Sequence, residues 1–275
     1  INYDINSTRR RIVKLVITAG FDGSIPAIAM CELLKRSGHS IGAVIVVTPF
    51  RVARLKSMLK QRGIEGFKKV AKKLIPSKKS NVKSSQQAKF LLNHKISFRS
   101  LKLWCKANGV GYVLVGNLNS SLSIECLKEY SPDAVVYSGG GILKSSFIKA
   151  ANNKIVNNHS GPLPAVRGMN AVEWSILLGH QPSLTIHMID QGIDTGEILS
   201  KKKLPIDKDD TIETIRDKAV FSGVVEIVRL FNGLTDLNNL KKETNRGIFE
   251  GRQCYIMAPA LRELVSKKLK GCLDV

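Results

Sequence analysis

The sequence predicts an α/β protein: a Rossmann-like, doubly wound, mostly parallel sheet with a basic helical insertion and a small C-terminal helical extension. Three observations carry that reading. The first is a set of short apolar runs rich in Val and Ile, too continuous for strands with one wet face. The second is that helix-forming stretches separate them, as parallel crossovers require. The third is the length of 275 residues, which holds one large domain with a modest extension but no long domain array.

Taken in order, Arg11-Ile-Val-Lys-Leu-Val-Ile-Thr18 reads as a buried strand entering a glycine-containing turn, Gly20-Phe-Asp-Gly-Ser24. Residues 25–37 have helix-forming composition and stop at Gly38, and Ile41-Gly-Ala-Val-Ile-Val-Val47 is a second buried strand. Together they make a βαβ unit. After a basic stretch come the strand Tyr112-Val-Leu-Val115, a helix over 123–129 and the strand Asp133-Ala-Val-Val-Tyr137. The strand Ile155-Val156 leads into Asn157-Asn-His-Ser-Gly-Pro-Leu-Pro164, followed by a helix over 170–178 centred on Trp174. Residues 184–189 form another strand, running into Asp190-Gln-Gly-Ile-Asp-Thr-Gly196. Residues 1–200 read as one doubly wound α/β domain and 201–275 as a mostly helical extension, with its best helix over 211–231.

Charge is concentrated rather than spread. The chain carries 43 Lys+Arg against 22 Asp+Glu, a formal net charge of +21, and residues 51–106 alone hold 17 basic side chains and one acidic. Within that stretch Val52, Leu55 and Leu59, then Ile64, Phe67, Ala71 and Leu74, recur at helical spacing, which predicts two short basic amphipathic helices. Residues 76–87 are polar and aperiodic, the composition of a mobile loop. Such a field suits either a solvated basic face or a surface for phosphates, whether of a nucleotide, a nucleic acid or an anionic membrane. The hydrophobic content of 43% supports a packed core. No apolar run approaches the roughly 18 residues of a membrane span, and no signal pattern opens the chain, so the expectation is a soluble, cytoplasmic protein with a trimmed start. Five scattered cysteines (Cys31, Cys105, Cys126, Cys254, Cys272) indicate neither a disulfide framework nor a metal site.

In doubly wound sheets ligands bind outside the carboxyl ends of the strands, so polar residues there are the candidates. Asn157 and His159, two apart at a strand exit, point to the same side. Asp194 sits at the exit of the next strand. An amide, an imidazole and a carboxylate suit addition to a carbonyl: the amide donates to a developing oxyanion, the imidazole moves protons, and the carboxylate orients the imidazole. A structural hydrogen-bonding role for His159 is the alternative.

Asn157-Asn-His159, Leu163-Pro164, Arg167-Gly168 and, 35 residues after the His, Asp194-Thr-Gly196 together resemble the signature of the formyltransferases that use 10-formyltetrahydrofolate. The resemblance covers roughly residues 11–50 and 101–200. It implies direct transfer of a formyl group to an amine without a metal, with the family's Asn, His and Asp falling on Asn157, His159 and Asp194. Tyr137-Ser-Gly-Gly-Gly-Ile-Leu143 resembles the segment beside the folate's pterin ring. There Gly139, Gly140 and Gly141 would admit close backbone approach and Ile142 and Leu143 would wall the ring, while Asp190 and Ile193 would lie on the opposite folate loop. Gly161-Pro162 departs from the Ser-Leu of relatives, which puts that loop's hydrogen bonds in question.

For the acceptor, Gly20 and Ser24 flank a strand-to-helix turn that suits an anion or is simply a turn, and Arg167 is either a phosphate or carboxylate clamp or a surface arginine. The run Arg167-Gly-Met-Asn-Ala-Val-Glu-Trp174 most resembles the sugar branch of the family and points to the amine of a nucleotide-linked amino sugar. Methionyl-tRNA and glycinamide ribonucleotide are the alternative acceptors. A protein that binds nucleic acid or a membrane surface on this scaffold is a further alternative.

Overall fold

The computed structural model describes residues 11–48, 86–233, 243–245 and 251–271. Its centre is a seven-stranded sheet built from β1 (Lys14–Ala19), β2 (Ser40–Val47), β3 (Gly111–Val115), β4 (Ala134–Ser138), β5 (Ile155–His159), β7 (Ser183–Met188) and β8 (Ile198–Lys203), in the order β3-β2-β1-β4-β5-β7-β8. The first five pair in parallel, and β7 and β8 join antiparallel. This is the expected Rossmann-like α/β fold. Two short strands, β6 (Val166–Gly168) and β9 (Arg252–Cys254), form a separate parallel pair.

Helices cover both faces, which is why the inner strands read as unbroken apolar runs. On one face α1 (Ile25–Arg36), α2 (Gln86–Asn93), α3 (Leu101–Asn108), α6 (Ala171–Leu177), α7 (Ile212–Asn232) and α8 (Pro259–Gly271) pack over Leu15, Ile17, Val44, Val46, Val136 and Val156. The other face holds α4 (Ser121–Tyr130) and α5 (Ser145–Ala150) against Val16, Ile45, Val135 and Ile155. Alternation along β5 therefore sends Ile155, Asn157 and His159 to the α4/α5 face and Val156 and Asn158 to the other. There the Asn158 amide donates to the Ala219 carbonyl of α7. Each helix has a local cause. α1 begins with a proline in its first turn, α3 is capped by Ser100, and α7 opens with a capping box between Thr211 and Thr214. The edge strand β8 carries exposed Lys201, Lys202 and Lys203, which discourage pairing with another chain.

The structure departs from the sequence reading in three places. The strand expected to stop at Val156 continues through His159, because pairing with β7 holds Asn157, Asn158 and His159 extended. Residues 86–106 of the expected basic insertion belong to the main fold: Leu91, Ile96, Leu101, Trp104 and Cys105 are buried in the larger core, and Gln86 and Gln87 start a helix rather than end a loop. The two basic helices expected over 52–74 lie outside the described residues. The expected extension from residue 201 is continuous with the domain, since β8 straddles residue 200 and α7 buries Ile215, Ala219, Val224, Ile227 and Phe231 in the core. Burying one such large aliphatic or aromatic side chain stabilises the fold by about 1.5–3 kcal/mol. Among the described residues no helix is long and apolar enough to cross a membrane.

Candidate active site

The strand order places β1 between β2 and β4, so the chain reverses direction across the sheet between β1 and β4 and opens a crevice at their carboxyl ends. Three elements meet there. Gly20, after β1, lies against the backbone of Gly139 and Gly140, after β4. The Thr18 hydroxyl ties them by donating to the Gly139 carbonyl at 3.0 Å. Next along, β5 presents Asn157 and His159.

Sheet register assembles the polar cluster. Asn157 faces His187 and His159 faces Thr185 across the β5/β7 pair, so two alternating residues from each strand share one face. The loop after β7 then brings back Asp194, with its backbone in the left-handed region at φ 52°. One carboxylate oxygen, Oδ2, accepts from the Gly168 backbone N–H at 2.8 Å and lies 3.3 Å from His159 Nδ1. The other, Oδ1, lies 3.5 Å from His187 Nε2. His159 Nε2 is 2.9 Å from the Val166 carbonyl. Both ring nitrogens of His159 therefore face oxygen atoms.

His187 differs. Its Nδ1 donates to the Met188 carbonyl at 2.7 Å, which leaves Nε2 to accept from the Asn157 amide at 3.0 Å. Burial pushes its pKa below the ordinary imidazole value, the Asp194 carboxylate pulls the other way, and His159 adds to the depression. The neutral ring thus fixes which end of the Asn157 amide is the donor. Sequence reading did not single out His187 and so missed this contact. The usable signal was its two-residue spacing from Thr185 in a strand, matching that of Asn157 and His159.

The loop departure at Gly161-Pro162 has a steric cause. A Cβ at residue 161 would lie 2.8 Å from the Ala171 Cβ and 2.9 Å from His159 Nε2. Thr185 ties this loop: its hydroxyl donates to the Gly161 carbonyl at 2.7 Å and accepts from the Leu163 N–H at 3.2 Å.

Of the residues expected around a folate, Gly139, Gly140 and Gly141 all have positive φ, and a Cβ on Gly140 would collide with the Leu118 side chain. Leu143 is buried, Ile193 is half-buried and Ile142 is 75% exposed. The Tyr137 hydroxyl brackets the glycine turn, donating to the Gly141 carbonyl at 2.9 Å and accepting from its N–H at 3.2 Å. Asn119 pins the far side through the Ile142 carbonyl and the Lys144 N–H. Asp190 turns inward on its own loop: its Oδ1 accepts from the Gly192 N–H at 3.0 Å and the Thr195 hydroxyl at 2.6 Å. A cavity of about 520 Å³ borders this loop, lined in part by Ile148, Ile189, Asp190, Thr195 and Asn245.

The acceptor candidates have different surroundings. Ser24 is buried, with its N–H on the Phe21 carbonyl at 3.2 Å, so that amide is already used. Gly20 stays part-exposed at the crevice. The Arg167 guanidinium donates to the Gly251 carbonyl at 3.2 Å, and its Nε is buried without a partner among the described residues. Cys31, Cys105, Cys126 and Cys254 are buried free thiols, and burial raises the pKa of each, to about 12 at Cys105 and about 11 at Cys126. Among the described residues no group of three His, Cys, Asp or Glu side chains is placed to hold a metal ion.

Residues 29–229 match the family described as Formyl transferase. The chain belongs to the formyl transferase family. Among relatives, it is 27% identical to the methionyl-tRNA formyltransferase of Finegoldia magna over 172 residues, 62% of this chain and 56% of that protein. It is 31% identical to that of Anaeromyxobacter sp. strain K over 134 residues, 47% and 43% of the two chains. The chain spans about half the length of these curated relatives. Its fold is similar to that of glycinamide ribonucleotide transformylase 1 from Symbiobacterium toebii, with a TM-score of 0.53, 16% identity and coverage of 80% of this chain and 86% of that one. It is also similar to WlaRD, a sugar 3N-formyl transferase solved in the presence of dTDP and 5-N-formyl-THF, with a TM-score of 0.53, 16% identity and coverage of 94% and 80%. At these identities the likeness is one of fold.

Proposed function

We infer that the protein transfers a formyl group from 10-formyltetrahydrofolate to an amine. The observation that carries this reading is the Asn157, His159 and Asp194 cluster, with Asp194 seated between the Gly168 N–H and the His159 ring. The amine nitrogen attacks the formyl carbon, and negative charge collects on the formyl oxygen. The Asn157 amide and the His159 ring stabilise that oxyanion, and Asp194 orients His159 and takes up the amine proton through water. When the tetrahedral carbon collapses, its bond to folate N10 breaks and a proton returns to N10, leaving a formamide and tetrahydrofolate. The residues present suit the donor: the bare backbone at Gly139, Gly140 and Gly141 admits a flat ring, while Leu143 and Ile193 offer apolar contact. The step proposed here uses no metal.

For the acceptor, the reading is a nucleotide-linked amino sugar. The run from Arg167 to Trp174 supports it, and the match to the sugar 3N-formyl transferase fold reaches over more of this chain than the ribonucleotide transformylase match does. The sequence relatives favour a second reading, a methionyl-tRNA acceptor. Incubating the protein with 10-formyltetrahydrofolate and each acceptor class in turn, and reading product mass, separates them. Formylation of an amino sugar nucleotide is the expected result; formylation of methionyl-tRNA alone would overturn the sugar reading.

A further inference from the structure

We propose that residues 243–245 and 251–254 clasp the catalytic loop, with Asn245 as a positioning residue for Asp194; this rests on the catalytic reading of Asn157, His159 and Asp194. Asn245 is 5% exposed and lies 51 residues along the chain from Asp194. Its amide nitrogen donates to two backbone carbonyls of the loop, those of Asp194 and Gly196, each at 2.9 Å. A two-way backbone bridge between Glu243 and Ile198, at 2.8 and 3.0 Å, holds Asn245 in place.

The loop needs an external brace. Asp194 occupies the left-handed region without being glycine, a conformation that persists only where its surroundings impose it. Gly196 turns so tightly that a Cβ there would run into the Met188 carbonyl. Because Asp194 Oδ2 must meet both the Gly168 N–H and His159 Nδ1, a small rotation of the Asp194 backbone takes the carboxylate off the imidazole.

Residues 251–254 hold the other side of the site. β9 pairs with β6, the strand that supplies the Val166 carbonyl to His159 and the Gly168 N–H to Asp194. Arg252 N–H donates to the Ala165 carbonyl at 3.0 Å and Met169 N–H to the Cys254 carbonyl at 2.9 Å, while the Gly251 carbonyl takes Arg167. Residues 243–245 and 251–254 therefore fix the backbone of Asp194 and the backbone partners of His159 between them. Asn245 touches no reacting atom in this account; it acts through Asp194.

The test is Asn245→Asp in the full chain, which keeps the side-chain volume and sets oxygens against the two carbonyls. Side-chain nitrogen NMR of histidine-labelled protein, read at one pH, is expected to show the His159 ring signals displaced from their wild-type positions while those of His39 and His94 stay in place. Turnover of 10-formyltetrahydrofolate should fall about 10- to 100-fold in kcat. Asn245→Ser, which retains a donor, should restore part of both signals and decides the matter if the aspartate variant does not fold. His159 signals that match the wild type in a folded variant would overturn the proposal. The NMR readout needs no substrate, so a wild type that transfers no formyl group would sink the formyl-transfer reading and leave the Asn245 coupling to be judged separately.

Discussion

At the scale of residues, chemistry follows from who shares a face. Asn157 and His159 were legible as a pair because the period of a strand is two. Asp194 was legible by resemblance, and His187 was not singled out because a lone histidine in an apolar run carries no mark of its partner. Its position opposite Asn157 exists only through the β5/β7 register. We predict that His187→Leu keeps the fold but lowers kcat for formyl transfer about 10-fold, since the Asn157 amide loses the acceptor that orients it. Unchanged kcat would contradict that role. The histidines also set a pH limit. Burial holds both His187 and His39 below the ordinary imidazole value. The unfolded chain protonates them near pH ~6.5. Below that pH the unfolded state binds more protons than the folded one, so stability falls as pH drops through about 6.5 toward the lower folded-state values. A denaturant midpoint that holds or rises on acidification would contradict this.

Among the elements, β6 and β9 were the least visible in the sequence, being three residues each and paired across more than eighty positions. Strand runs such as Val13 to Thr18 announce themselves by burial on both faces, whereas β6 is fixed by close approach. Gly168 has φ 93°, and a Cβ there would strike the Cys254 carbonyl. We predict that Gly168→Ala separates the two strands at a cost of about 1–3 kcal/mol, read as a lowered denaturant midpoint. Because the Gly168 N–H also holds Asp194, formyl transfer should fall by more than that loss of stability accounts for. The longer elements came out within a few residues of expectation, because capping at Ser100, Ser120 and Thr211 is written locally.

At the scale of the molecule, the doubly wound order was readable from alternating strand and helix patterns. The antiparallel return of β7 and β8 was not, since an apolar strand carries no sign of its direction. Most of the basic residues over 51–106 lie outside the described residues. Replacing Lys68, Lys69, Lys72 and Lys73 by Gln is predicted to raise the KM for an anionic acceptor while kcat holds, as lost uniform binding requires. Were the partner instead an anionic membrane, kinetics with a soluble acceptor would not change and salt-sensitive vesicle association would weaken. No change in either would assign the charge to a solvated face.

The central claim is that Asn157, His159 and Asp194 together perform formyl transfer, and the most direct test is the single-turnover conversion of 10-formyltetrahydrofolate to tetrahydrofolate with an amine acceptor, in the wild type and in His159→Ala. The account predicts conversion coupled one to one with a formylated amine, and a fall in rate of about 100- to 1,000-fold in a variant whose circular dichroism is unchanged. Conversion by His159→Ala at close to the wild-type rate would contradict it.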